Sequence, residues 1–569
     1  MSNLYPCFLI CLLLAAVAPA AAQVEAPAPV ETTAGEWGNP FAFPILLSGN
    51  FGELRGDHFH AGIDFKTQNV EGKTVHAVRE GYVSRVSVSP WGYGNALYIN
   101  HPDGATSVYG HLQRFTGDLS GYVREQQYIR ESFAVDLTFG EGEFPVMKGE
   151  AVALAGNTGS SAGPHLHFEI RNTATGMLYD PLEFYKGEVK DSRPPRIDAV
   201  KVYPLEGRGV VNGGVRSVEM AVAGKPNAAV RTEAWGEIGL AVKAYDYMDG
   251  TTNIYGVERV SMAVDDHVVF DSHIRSFPPD ETRYINSFID FEAWKTRRTF
   301  FMKTFVEPGN RLSFVVHDGR GIIRIDEERA YHITFRLKDL YGNTAMHTLV
   351  VHGVRRDIPA PDTHGDYFHW KSDNRFGAKG VRLLIPSGNL YDDIYFRYKT
   401  LPAGASALSD THVLHDRPVP LHNRAHLSIR LTTDTLDDKG KYGIVRLQNK
   451  RAIWIGGVYR DRWMEAPIRD LGSYAVMQDV RPPLITPLDP SAWTAGRRIV
   501  LRISDDLSGV YSYRGEIDGQ FALFELDGKK GVVTYHFDRT RLMEGEHKLR
   551  FILVDACGNR SEYNHSFVW

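Results

Sequence analysis

Between Trp37 and about Tyr185 the apolar and polar positions fall into short runs of strand-like period, broken by glycine. "AVREGYVSRVSVSP" and "NALYINHPDGATSVYGHL" read as strands joined by Gly turns, and the Asp-Gly of "HPDGAT" is a hairpin signal. "GPHLHFEI" (163–170) reads as another strand. Side chains at i and i+2 of a strand share a face, so His165 and His167 look in the same direction. "SGYVREQQYIRES" is the best short helix of this part. The fold class expected is mainly β.

Beyond this part the punctuation repeats. "DSRPPRID" (191–198) and "QDVRPPLIT" (478–486) both set Arg-Pro-Pro before a strand, and "RRDIPAPD" (355–362) is another Pro-containing joint. "ITFRLKDLYGN" (333–343) and "LRFILVDACGN" (549–559) each end a strand in Asp-x-x-Gly-Asn. The Asp can cap the turn and Gly-Asn supplies left-handed positions. Repeated strand endings predict tandem β-sandwich modules, at 191–355, 356–480 and 481–569. They resemble bacterial immunoglobulin-like modules. The expected order is thus a signal peptide (1–22), a Pro/Ala/Thr linker (23–35), a first domain (36–190) and three modules. A chain of 569 residues is long enough for about three or four domains.

Composition changes this picture little. Charged residues are 23% of the chain, and the net charge of −5 is spread without blocks, which gives no support for nucleic-acid binding. The first 22 residues are apolar and end in "APAAA" just before Gln23, an A-x-A-type cleavage site, so the protein is expected to be exported, periplasmic or envelope-associated. Their n-region lacks Lys and Arg, which leaves a retained anchor as the alternative. Cys7 and Cys11 lie in that segment. Only Cys557 follows, so the mature chain can form neither an internal disulfide nor a Cys-based zinc site. A metal must be held by His and carboxylate.

One His-x-His decides nothing in a chain with 22 histidines, and His58 with His60 form a second pair. The set in the first domain is more telling: "HAGID" brings His60 and Asp64, "YGHL" brings His111, and "GPHLH" brings His165 and His167, with Gly-rich connectors between them. His60 has the four-residue spacing to Asp64, His58 reads as a surface residue, and His101 reads as part of the turn before "PDG".

This order resembles the lysostaphin-type (LytM-like) zinc metalloendopeptidases that cut peptidoglycan peptides. The resemblance covers about residues 40–185. It implies an antiparallel β-sheet peptidase domain and one Zn2+ per chain held by His60, Asp64 and His167. It also implies catalytic roles for His111 and His165, with the division of base and oxyanion work between them left open. Three protein ligands leave a fourth position for water, as a catalytic zinc needs. The segment 117–145 is longer than the usual connector, which puts the shape of the substrate groove in question. The function implied is an exported endopeptidase acting on peptidoglycan cross-links or stem peptides, with the later modules open to envelope protein partners. The alternatives are an inactive regulator of other wall hydrolases and an envelope scaffold with a vestigial peptidase domain.

Overall fold

The computed structural model describes residues 37–222 and 232–569. The expected signal peptide and linker lie outside the described residues. No helix among the described residues is long and apolar enough to cross a membrane.

Strands dominate, as the period of the apolar positions requires. The first domain is built on β1 (Leu47–Gly49), β2 (Ile63–Lys66), β3 (Gly81–Val88), β4 (Asn95–Asn100), β5 (Ala105–Phe115), β6 (Val135–Thr138), β7 (Ala151–Ala155) and β8 (His165–Asn172). The sheet runs β1-β2-β8-β5-β4-β3-β6, with β7 paired to β5. Strand β8 therefore lies in the middle, antiparallel to β2 on one side and to β5 on the other.

Alternation along β8 does two jobs. Leu166, Phe168 and Ile170, each 0% exposed, enter a core with Ile63, Phe65, Leu97, Ile99 and Tyr109. Each such side chain contributes roughly 1.5–3 kcal/mol through burial. The alternate positions put His165, His167, Glu169 and Arg171 on the opposite face. A one-residue slip would exchange the two sets, so the core fixes the register of the histidines.

The long connector folds as helix α1 (Gly117–Ile129) followed by β6, which pairs with β3. Leu119, Val123 and Gln127 form its buried stripe. The helix begins and ends three residues earlier than "SGYVREQQYIRES" suggests. Its end is set by Glu131 at φ 44°, a left-handed turn after which Ser132 N donates to Gln127 O at 2.9 Å. The connector lines a cavity shared with the last module through Glu131, Ser132, Phe133 and Ala134. It forms a platform for the last module: Arg124 pairs with Asp538 at 3.1 Å, Glu131 with Arg514 at 2.7 Å, and the Arg541 guanidinium lies 3.8 Å from the Tyr128 ring centre.

After the first domain, strands from Arg196–Val211 to Thr344–Gly353 make one ten-stranded sheet. Its core takes in Phe51, Phe59 and Leu178 of the first domain. In return Met248 and Tyr255 enter the first domain's core, with Leu340 and Tyr341 packed against it. The strand Ser276–Phe277 also pairs with Leu178–Tyr179. The joint near residue 190 is thus crossed by both cores. Residues 366–478 form two five-stranded sheets and a two-stranded ribbon around one core, and 484–568 form two four-stranded sheets around another.

Gly62 tests the central pairing. A Cβ there would stand 2.1 Å from the Phe168 carbonyl oxygen, in the strand beside it. Gly62→Ala is expected to force β2 from β8 and to destabilise the protein by about 1–3 kcal/mol. Gly121→Ala, where a Cβ meets nothing within 4 Å in helix α1, should instead stabilise by about 0.5–1 kcal/mol. Thermal midpoints of the two variants check this.

Candidate metal centre and active site

The site is assembled by strand register. His167 sits opposite Asp64 of β2 on one side and opposite Gly110 of β5 on the other. His60 comes from the loop before β2, where its N–H donates to Glu53 O at 2.9 Å. His60 Nε2, Asp64 Oδ1 and His167 Nδ1 then converge: the two nitrogens are 3.0 Å apart, and the oxygen lies 3.1 Å from His60 and 3.0 Å from His167. All three residues are buried.

The partners of these side chains decide which atoms are free. His60 Nδ1–H donates to Asn50 O at 2.7 Å, so the lone pair is on Nε2. His167 Nε2–H donates to Glu169 Oε1 at 2.8 Å, which leaves Nδ1 toward Asp64. Glu169 is 0% exposed and also receives Arg171 Nε at 2.6 Å and the Tyr93 hydroxyl. Asp64 Oδ2 faces Arg55 Nη2 at 3.4 Å, and Arg55 also meets Glu53 at 3.2 Å. Burial disfavours charge on Asp64, but His60 and the hydrogen bond from His167 outweigh it and hold its carboxyl well below the usual range.

Two imidazole lone pairs and a carboxylate oxygen meeting in a buried space are three acceptors in need of a cation. This donor set fits zinc: two nitrogens and one oxygen, each imidazole oriented by a hydrogen bond from its other nitrogen. Without a cation a proton takes that place. Burial pushes His167 down, but Asp64 and Glu169 together push it up to about 9. Proton and metal compete for the same nitrogen.

His111 and His165 flank this centre. Their ring centres are 4.8 Å apart, and His111 is 5.8 Å from His167. His165 Nδ1–H donates to Gly163 O at 2.8 Å, and its Nε2 reaches to 3.5 Å from Asp64 Oδ1. His111 Nδ1–H donates to Thr158 O at 2.9 Å. Each ring is left with an Nε2 lone pair. Burial is the main cause holding both neutral; with the neighbouring histidines it pushes His111 down to about 3, and it lowers His165 as well. The backbone at His111 has φ 59°, a strained value for a non-glycine residue, and coincides with a break in the β4–β5 register between Tyr109 and Leu112. That bulge re-aims the side chain.

Both carbonyls that orient these rings belong to the loop 157–164. The last module touches that loop: Lys529 Nζ donates to Asn157 Oδ1 at 3.1 Å and to Ser161 O at 3.0 Å. The contact is invisible in the sequence, because 372 residues separate Lys529 from Asn157.

The structure thus brings together all five residues singled out from the sequence: His60, Asp64, His111, His165 and His167. His58 is exposed and bonded to Asp57 at 2.8 Å. His101 is tied into its turn by Glu80 O and Ser107 Oγ, both at 2.8 Å. Sequence reasoning missed Glu169 and Arg171, although the period of two that aligns His165 with His167 continues to both. It also missed the Asn50 carbonyl, which no side-chain pattern marks.

Residues 58–181 match Peptidase family M23, and this part of the chain is an M23 peptidase domain. Residues 365–479 match a Zu5-like domain. That corrects the immunoglobulin-like expectation for this module. The Asp-x-Arg-Pro-Pro and Asp-x-x-Gly-Asn motifs behind that expectation flank this segment and do not describe its interior. The chain is similar to DD-carboxypeptidase/endopeptidase Mpg of Neisseria meningitidis serogroup B, 31% identical over 112 residues, covering 20% of this chain and 20% of that protein. It is similar to lysostaphin of Staphylococcus simulans, 26% identical over 130 residues, covering 22% of this chain and 21% of the relative. These matches span about a fifth of each relative's length. Among solved structures, the catalytic domain of the prophage-encoded M23 protein EnpA from Enterococcus faecalis is 26% identical, covering 24% of this chain and 88% of that one, with a TM-score of 0.18.

Glu169→Gln separates support from ligation. The amide keeps the shape but loses the charge that faces His167 and Arg171. Metal affinity should fall by about 10–100-fold, with the chain still folded. Competition against a chelator of known affinity measures it; an unchanged affinity would remove Glu169 from the supporting shell.

Proposed function

We propose that this protein is a zinc-dependent endopeptidase that hydrolyses peptide bonds of bacterial peptidoglycan. The observation that carries the reading is the convergence of His60 Nε2, Asp64 Oδ1 and His167 Nδ1 beside two histidines whose Nε2 lone pairs are free. The M23 match over 58–181 supports it.

In this reading His60, Asp64 and His167 hold one zinc ion, which supplies a Lewis acid able to polarise a peptide carbonyl and to make water nucleophilic near neutral pH. Asn50 O and Glu169 keep the two ligand imidazoles in the required tautomers. Neutral His165, with Nε2 on the Asp64 side of the site, takes a proton from the attacking water and returns it to the departing amine. Neutral His111 presents its Nε2 from the other flank and shares the proton work or, once protonated, stabilises the developing oxyanion. The strained backbone at His111 and the two carbonyl anchors hold these rings before substrate arrives, which lowers the cost of organising them later.

The chemistry favours amides over sugars. Glycosidic hydrolysis needs two accessible carboxyl groups about the bond. Here Asp64 belongs to the cation site, and Glu169 is buried between His167 and Arg171. All five site residues are present and oriented, which favours an enzyme over an inactive regulator. The substrate lies outside the cytoplasm, and the apolar amino-terminal stretch supports export.

Single substitutions of His60, Asp64 or His167 by Ala should remove zinc and activity together. His111→Ala and His165→Ala should keep zinc and lose turnover by about 10²-fold or more. Metal content measured beside rate tests this, and full zinc in His167→Ala overturns the ligand set. Digested peptidoglycan should show new amino groups and shorter cross-links. New reducing sugar ends that vanish in His165→Ala would overturn the reaction type.

A further inference from the structure

A second cluster of acidic residues lies where the peptidase domain meets the module that follows. Asp191 opens "DSRPPRID", Asp246 follows the strand Thr232–Tyr245, and Asp339 begins the turn "DLYGN" after the strand Ala330–Lys338. One carboxylate oxygen from each lies within 4.8 Å of the others. Asp246 is 3% exposed and Asp339 is 2% exposed.

Asp339 is satisfied by its own turn: Asn343 N and Nδ2 donate to its two oxygens at 2.9 and 2.8 Å. Asp246 Oδ1 and Asp191 Oδ2 are different. Both are buried, and among the described residues neither accepts a hydrogen bond. A buried, unpartnered carboxylate oxygen is unfavourable unless a cation or proton reaches it.

The same frame occurs a second time. Asp479 opens "DVRPP" as Asp191 opens "DSRPP". Asp505 precedes Gly509 by the spacing that separates Asp246 from Gly250, and Asp555 heads "DACGN" as Asp339 heads "DLYGN". The hydrogen bonds repeat: Asn343 Nδ2 donates to Asp191 O at 3.2 Å, and Asn559 Nδ2 to Asp479 O at 3.1 Å. The unpartnered atom repeats too, since Asp505 Oδ1 is buried without a hydrogen bond as Asp246 Oδ1 is. In this second copy the cluster is Asp479, Asp505 and Asp506, and Arg481 pairs with Asp506 at 2.7 Å. The first copy is therefore the stronger cation site.

We propose that Asp191, Asp246 and Asp339 bind a calcium ion that fastens the peptidase domain to the first module. The donors are all oxygen, which favours hard cations over zinc. Magnesium keeps several waters and demands octahedral geometry, whereas calcium accepts a closed, irregular carboxylate cage. Burial, with the neighbouring carboxylates, pushes Asp246 up to about 8 and Asp191 up to about 6, so the empty cluster sheds charge by taking up protons. The loops carrying two of the ligands also bring Met248, Leu340 and Tyr341 to the peptidase core. A calcium ion would clamp those loops, and with them the joint.

The test uses the full chain, stripped of divalent ions, reloaded with zinc, and dialysed against calcium chloride or magnesium chloride. Ion content is measured by elemental mass spectrometry and backbone protection by hydrogen exchange. Calcium should bind with a midpoint of about 10⁻⁴–10⁻³ M, as in extracellular calcium modules. It should slow exchange at 191–193, 246–250 and 339–343, and equal magnesium should not replace it. Asp246→Asn keeps the shape and removes a buried charge. It should lose one calcium per chain and the protection, without a lower thermal midpoint in chelator; Asp191→Asn, at the rim, should do the same. No calcium uptake, or unchanged stoichiometry in both variants, overturns the proposal. So does exchange that responds to pH and not to calcium, which would assign the cluster to protons.

Discussion

The antiparallel pairing of Asp64 with His167 is the contact on which the site depends. It sets two metal-capable side chains opposite each other across β2 and β8, and it is fixed by the core on the reverse face of the same strands. Phe65 and Phe168 pack there with ring centres 5.6 Å apart. Since strand side chains alternate strictly, the apolar face and the polar face cannot move independently. The energy that holds the histidines in register is the hydrophobic energy of the core, and the site contributes little to its own placement. The acceptors that converge there are unfavourable together until a cation or proton joins them.

Of the remaining site residues His165 shares β8 with His167, and the others are added by irregular backbone. His60 rides on the loop before β2, His111 on a bulge in β5 at positive φ, and the two ring anchors on the loop 157–164. Regular strands supply precision, and the irregular positions supply direction. This explains why the fold keeps a strained conformation at His111: the alternative would return its ring to the sheet face.

Legibility in the sequence follows the same division. The β class, the core of β8 and the pairing of His165 with His167 on one face were readable from periodicity alone. The five site residues came from the family resemblance that motif order carries, and the structure places all five together. What periodicity could not show is anything carried by backbone atoms or by distant chain. Asn50 acts through its carbonyl. Lys529 reaches Asn157 from another module. The connector 117–145 showed its helix and its extra length, but not that its charges face the last module. The repeated turn motifs suggested modules of one kind throughout, but 365–479 follows a different pattern between them. Short punctuating motifs report on joints and say little of what lies between.

Phe59, the residue before His60, lies in the first module's core, with its ring 5.7 Å from Phe277, 5.6 Å from Phe288 and 5.4 Å from Phe314. Its N–H receives further support as a donor to Thr282 Oγ1 at 3.0 Å. Neighbouring residues on an extended chain point to opposite sides, so the module's grip on Phe59 turns His60 toward Asp64. Asn50, which orients the His60 ring through its carbonyl, is itself held by Gly256 of the module: its Nδ2 donates to Gly256 O, and its Oδ1 accepts from Gly256 N, each at 2.8 Å. Two of the features that aim His60 at Asp64 are therefore supplied from outside the peptidase sheet. The cluster of His60, Asp64 and His167 is thus held in part by the module beside it, and its geometry depends on their joint.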